Sequence, residues 1–286
     1  MTLTLTLPAD FRNQDFLDFH RRDPQQRAEC VDGNQLHKGL VWQGRPARLS
    51  LLLDQQCATA RLDAAGSQIT PQALRSRVEH MLGLSQPVRD FQLACQDHPL
   101  LGPLIRRRPG LRVPQSGSPH EALCWAIIGQ QISVHAALSI RARLIASTGI
   151  QHASGLYCFP DARAILNCTD TALRAAGLSG SKLGALRRIS ELALAQPALF
   201  EHDTPLPAQT LSDSLLAIRG IGPWTVSYAL LRGYGKLDGS LHGDVAVRRG
   251  LARLLGEETV SPARTEQWLA AFSPWRALVA AHLWGI

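Results

Sequence analysis

The chain opens on strict alternation. Leu3, Leu5 and Leu7 are separated by Thr4 and Thr6, the period-two pattern of a half-buried strand. Short apolar runs predict further strands at Ala28–Val31, Gly39–Trp42, Ala47–Leu53 and Ala58–Leu62. Turn chemistry separates them at Asp32-Gly33-Asn34, Gln43-Gly44-Arg45 and Ala65-Gly66-Ser67. Two helices are predicted among these strands, Asn13–Arg22 and Pro71–Gly83. Thr70 is placed to cap the second, and Pro71 suits its first position. Residues 1–90 therefore read as a small α+β domain.

From Val88 the apolar period lengthens to that of helices. It predicts helices over His120–Ala146, Ala162–Ala176, Ser181–Ala195, Leu211–Ile218, Pro223–Arg232, Val245–Leu255, Pro262–Ala271 and Trp275–Leu283, with Pro-, Gly- and Ser-rich loops between them. Two of these helices flank the turn Gly220-Ile221-Gly222. Glycines there leave backbone N–H groups open at a helix start, where the positive end of the helix dipole attracts phosphate. Asp244 lies 22 residues beyond Gly222, just ahead of another helix. Taken singly, the turn reads first as a plain connection between helices, and Asp244 reads best as the N-cap of Val245–Leu255. A cap and a catalytic carboxylate are not exclusive.

Composition narrows the class. Of 286 residues, 45% are apolar and 19% charged, and no run of 18 apolar residues predicts a membrane span. MTLTLTLPADF lacks the charged and apolar regions of a signal peptide, so a cytoplasmic protein is expected. Cys30, Cys57, Cys95, Cys124, Cys158 and Cys168 are scattered without a Cys-x-x-Cys pair, which predicts reduced thiols rather than a disulfide frame or a zinc site. Charge is concentrated. Residues 1–84 carry 10 basic against 9 acidic side chains, and residues 85–286 carry 20 against 14, so most of the net +7 lies in the helical part. Of the 30 basic residues only Lys38, Lys182 and Lys236 are lysines. Arginine's planar fork suits phosphate oxygens.

Seven blocks together carry a resemblance: Arg108–Pro114, Ile127–Ala137, Tyr157–Pro160, Gly177–Leu183, Ile218–Gly233, Asp244 and Ser273–Trp284. Their order and spacing resemble the helix-hairpin-helix DNA glycosylases, and within them the bacterial 3-methyladenine DNA glycosylase II branch. The resemblance implies an α+β fold, with a small antiparallel-sheet domain ahead of a two-lobed helical core. It places the hairpin domain at 119–236 and a second lobe at 91–118 plus 237–286, with the cleft between them. It implies a monofunctional enzyme that flips and hydrolyses alkylated purines such as 3-methyladenine and 7-methylguanine out of double-stranded DNA.

Residue by residue, the resemblance gives Asp244 the catalytic role, ahead of its neighbour Asp238. Trp224 occupies the position where the family's bifunctional members carry a nucleophilic lysine, so no strand-cutting activity is expected. Trp224, Tyr228 and Trp284 fall at base-pocket positions, where electron-rich rings suit a cationic base. Gln131 falls at the DNA wedge, which is apolar in the best-known branch, and Val245 replaces an aromatic residue. Gly220, Ile221, Gly222 and Thr225 are carried over as phosphate contacts, with Lys182, Arg248 and Arg249 as further ones. The carbonyls of Leu216, Ile218 and Ile221 are where the family holds a structural Na⁺ or K⁺. No cysteine follows Cys168, so no iron–sulfur cluster is expected. No other cofactor is required, and one nucleotide-sized cleft predicts a monomer working at the bacterial nucleoid. Two rival readings remain: a non-catalytic protein that bends or marks lesion-bearing DNA, and a glycosylase for deaminated bases.

Overall fold

The computed structural model describes residues 1–21 and 24–286. Its N-terminal part is a five-stranded antiparallel sheet. The strands are β1 (Thr2–Thr6), β2 (Glu29–Asp32), β3 (Gln35–Trp42), β4 (Arg45–Leu53) and β5 (Cys57–Asp63), in the spatial order β1-β5-β4-β3-β2. Two-residue turns join β2 to β3 and β3 to β4. Their left-handed residues, Gly33 (φ 55°), Gln43 (φ 50°) and Gly44 (φ 76°), match the twist of an antiparallel hairpin. Helices α1 (Asn13–Arg21) and α2 (Pro71–Leu82) join the sheet in one apolar cluster that includes Leu5, Phe16, Leu36, Leu51, Leu74 and Met81. Thr70 caps α2 by accepting the Ala73 N–H at 3.2 Å, and Gly83 ends it in a left-handed conformation. Arg22, the last residue of the expected first helix, lies outside the described residues.

The rest is helical: α3 (Val88–Cys95), α4 (Leu101–Arg107), α5 (Pro119–Gly129), α6 (Val134–Thr148), α7 (Ala162–Asn167), α8 (Asp170–Ala175) and α9 (Gly180–Ala195), followed by α10 (Ala208–Leu216), α11 (Pro223–Tyr234), α12 (Val245–Leu255), α13 (Pro262–Ala270) and α14 (Arg276–Leu283). A second apolar cluster runs continuously through both expected lobes, from Phe91 and Leu101 through Ile127 and Leu186 to Leu251 and Leu278. α5 lies at its centre. Residues Pro119 to Ile128 are all buried, and Gly233 of α11 crosses so closely that an added Cβ would lie 2.9 Å from Pro119 Cα.

Two expected helices are each broken in two. The span His120–Ala146 stops at Gly129 and restarts at Val134 because Ser133 caps α6, its hydroxyl accepting the Ala136 N–H at 3.2 Å. The span Ala162–Ala176 breaks where Thr169 caps α8 in the same way, at 3.2 Å from Ala172 N. Continuous apolar spacing conceals such breaks, whereas cap chemistry marks them.

A buried charge cluster fastens the sheet to the helical body. Lys38 of β3 sits between Glu29 of β2 and Glu121 of α5, 2.8 Å from the latter. Arg141 of α6 lies 3.3 Å from both carboxylates, and His20 of α1 is 3.1 Å from Glu29. Burial alone would raise Glu29, but Lys38, Arg141 and His20 outweigh it and hold the carboxyl well below the usual range. Glu121 is lowered too, since Lys38 and Arg141 together exceed the effects of burial and of Glu29. Beside this cluster β3 touches the helical part directly. A Cβ at Gly39 would lie 1.9 Å from the Tyr157 carbonyl oxygen, and Phe159 N donates to Gly39 O at 3.0 Å.

Candidate active site

Asp244 precedes α12 in extended conformation, and its Oδ1 accepts the N–H groups of Ala246 at 2.9 Å and Val247 at 3.1 Å. The cap expected from sequence is therefore present. Two indoles grip the same carboxylate: Trp284 Nε1 donates to Oδ1 at 3.3 Å, and Trp224 Nε1 donates to Oδ2 at 3.1 Å. Asp244 is half-buried and Val245 beside it is exposed. Every donor here is neutral, so the carboxylate is oriented without its charge being cancelled.

Asp238, the sequence competitor, is built differently. Arg276 grips it with Nε at 2.8 Å and Nη2 at 3.0 Å, and Ser273 Oγ donates at 3.0 Å. Burial opposes ionisation, yet Arg276 and Ser273 prevail and hold the carboxyl below its ordinary value. Asp238 is thus a neutralised clamp on α14.

The three pocket aromatics are drawn together, but unequally. The Trp224 and Tyr228 rings lie 5.5 Å apart, and Tyr228 is only 7% exposed, so it backs Trp224 rather than opening a face of its own. The Trp284 ring is stacked by the guanidinium of Arg232 at 5.3 Å. Arg232 also lies 4.4 Å from the Phe19 ring of α1 and donates to Pro114 O at 2.6 Å. One of the three rings expected around the base, Trp284, thus already carries the protein's own cation. Sequence reasoning passed over Arg232, which reads as one more surface arginine near the end of a helix.

The hairpin between α10 and α11 turns at Gly220, whose φ of 98° suits glycine and whose added Cβ would lie 3.1 Å from Ala185 Cβ. Gly222 is the N-cap of α11 with no side-chain cap, and Pro223 follows. The first-turn N–H groups of α11 thus have neither an intrahelical partner nor a capping side chain. Ile221 is buried, and its N–H donates to Ile218 O at 3.0 Å, while Leu216 is exposed at the end of α10.

Two expected phosphate contacts are spent inside the protein. Thr225 is 2% exposed, and its hydroxyl accepts from Gln130 Nε2 at 2.9 Å. Lys182 Nζ donates to Ile128 O at 2.8 Å, and burial lowers its ammonium from the usual range. Arg248 is half-buried and Arg249 exposed, both on α12. Gln131 is exposed with φ 57° in the break between α5 and α6. Gln130 next to it bonds Gly220 O at 3.0 Å as well as Thr225, a bridge not foreseen from the sequence.

A cavity of about 380 Å³ lies away from this site, between Val41, Pro46, Thr148 and Asn167. Among the described residues no group of His, Cys, Asp and Glu is placed to hold a metal ion, and no helix is long and apolar enough to cross a membrane.

Residues 124–274 match the family model described as HhH-GPD superfamily base excision DNA repair protein. The chain is 29% identical over 206 residues to DNA-3-methyladenine glycosylase 2 of Escherichia coli, covering 70% of each protein. It is 28% identical over 158 residues to DNA-3-methyladenine glycosylase of Bacillus subtilis, covering 54% of this chain and 52% of the relative. The solved 3-methyladenine DNA-glycosylase of Archaeoglobus fulgidus superposes with a TM-score of 0.83 at 23% identity, over 99% of this chain and 97% of that one. That likeness shows the fold.

Proposed function

The chain belongs to the HhH-GPD superfamily of base excision DNA repair proteins, and within it we propose that it is a monofunctional DNA glycosylase that removes alkylated purines from duplex DNA. One observation carries the reading: a half-buried carboxylate, Asp244, gripped by a helix N-terminus and two indoles and matched by no cation among the described residues. Such a group stabilises positive charge developing on a sugar as its base departs. Oδ1 takes three of the four donors and Oδ2 only the Trp224 indole, so Oδ2 keeps acceptor capacity for the attacking water. Methylation makes 3-methyladenine or 7-methylguanine a cationic leaving group, which needs no general acid.

The lysines support hydrolysis without strand cutting. A lyase forms a Schiff base through an amine at the sugar. Lys38 is locked between carboxylates, Lys182 is bonded to Ile128 O, and Lys236 follows the far end of α11 from Trp224. DNA is held at the hairpin by the open N–H groups that follow Gly222, aided by Arg248 and Arg249. A monovalent cation at the carbonyls of Leu216, Ile218 and Ile221 would add charge there. The chain acts as a monomer, without other cofactors.

A second reading concerns the base. Arg232 places a cation against Trp284, which weakens selection by charge alone and favours a range extending to neutral lesions, deaminated bases included. The test is single-turnover base release from methylated duplex DNA by wild type and Asp244→Asn, with abasic-site cleavage scored separately. Release by wild type alone, without cutting until alkali is added, supports the proposal. Release by the Asn variant at the wild-type rate would sink it.

A further inference from the structure

The break between α5 and α6 is a fixed tooth rather than a slack loop. Its exposed tip joins Gln131 to two apolar side chains, Ile132 at 37% and Val134 at 65% exposure. Gln131 has φ 57°, a conformation rare for glutamine that persists only where its surroundings impose it. Those surroundings reach the break from two helices. Lys182 of α9 bonds the carbonyl of Ile128, in the last turn of α5. The Gln130 amide donates both to the Gly220 carbonyl, at the apex of the hairpin, and to the buried hydroxyl of Thr225, in the first turn of α11.

Resting on the proposed reading of the site, we infer that Gln130 is a positioning residue that couples the wedge to the phosphate-binding hairpin. A single side-chain amide spans the two parts that would touch DNA: the tip that fills the gap left by an extruded nucleotide, and the turn that holds the backbone. Phosphate engagement at α11 then sets the depth at which Gln131, Ile132 and Val134 enter the base stack. No separate loop closure is needed. Thr225 serves as the acceptor of this coupler, which explains why its hydroxyl faces Gln130 instead of a phosphate. The flanking apolar pair supplies unstacking surface of the kind that kinks duplexes, and the Gln131 amide supplies donors and an acceptor for the widowed base.

The test needs no catalysis. A duplex carrying a tetrahydrofuran abasic-site analogue, with 2-aminopurine opposite it, brightens when a wedge unstacks the reporter. Wild type is expected to bind and brighten it rapidly. Gln130→Ala, which deletes both bonds, should slow brightening about tenfold or more at saturating protein. Thr225→Val, which deletes one bond and keeps the shape, should slow it less. Gln130→Asn, with a shorter amide, should restore part of the rate. Melting temperatures of the variants are read in parallel. Brightening at the wild-type rate in Gln130→Ala overturns the coupling and leaves the glycosylase reading intact. Slowing that tracks lost melting temperature across the variants also overturns it, because the bonds would then be merely structural. Failure of wild type to bind the abasic duplex at all removes the DNA reading itself, and the coupling with it.

Discussion

Carboxylates are handled in opposite ways at the sheet–helix junction and at the cleft. Glu29 and Glu121 are buried, and each lies against Lys38 and Arg141, so their charge is answered within the protein. Asp244 is held as firmly, but by two backbone N–H groups and two indoles, all neutral. The first arrangement consumes charge to join two bodies. The second fixes a charge in place and leaves it available to an incoming cation. Asp238 shows that the distinction holds even within a few residues, since its Arg276 fork makes it a clamp. A carboxylate's partners, more than its burial, tell structural from chemical use.

The comparison can be broken at the junction first. Lys38→Met should leave two buried carboxylates sharing the single charge of Arg141 and cost roughly 3–5 kcal/mol in urea unfolding; a loss near zero would mean that the cluster contributes little. At the cleft, Asp244→Asn should leave the fold and DNA binding in place while base release falls about 10²–10³-fold or more. Equal damage to binding would assign Asp244 to structure.

Acid separates the regions further. Burial drives His120 and His282 down to about 4, so in the folded state they bind protons less readily than in the unfolded chain. Stability therefore rises with pH between about 4 and 6.5 and is lost on acidification through that window, by on the order of 2 kcal/mol for each imidazole at pH 4.5. Glu29 and Glu121, held below the usual range, should keep the junction paired through the same window. Urea curves at pH 7 and 4.5 for wild type and His120→Gln test this, and the variant should lose less. The smallest effect is expected from Trp284→Phe. It keeps the ring and removes one indole donor, and should slow release about tenfold. An unchanged rate would make the Trp224 indole and the cap sufficient.

Much of this was legible before the structure. Alternation locates β1, and short apolar runs between turn residues locate the other four strands to within a few residues, β3 being the most under-read; the cap chemistry of Thr70 and Asp244 is local, hence readable. The breaks at Ser133 and Thr169 were also marked by caps, but unbroken apolar spacing overrode that signal. The charge cluster was hidden for a different reason. Glu29 and Lys38 are cross-strand partners, yet Glu121 and Arg141 come from helices far along the chain, and polar residues in such elements read as surface. Thr225 and Lys182 were assigned outward because their motifs carry no information on which neighbour reaches them first; Gln130 and Ile128 do.

The salt-bridged junction has a practical consequence for dissecting the molecule. A piece ending near residue 85 would keep Lys38 and Glu29 but lose Glu121 and Arg141, while the complementary piece would be left with a carboxylate and a guanidinium on a newly bared apolar surface. Each fragment keeps one cation and one anion, but the burial that sets their pairing is lost in both. Grafting the sheet onto a relative's helical body would have to carry all four charged residues together, along with the glycine at position 39 that lets the Tyr157 backbone pass. The unit of inheritance here is the seam, not the domain.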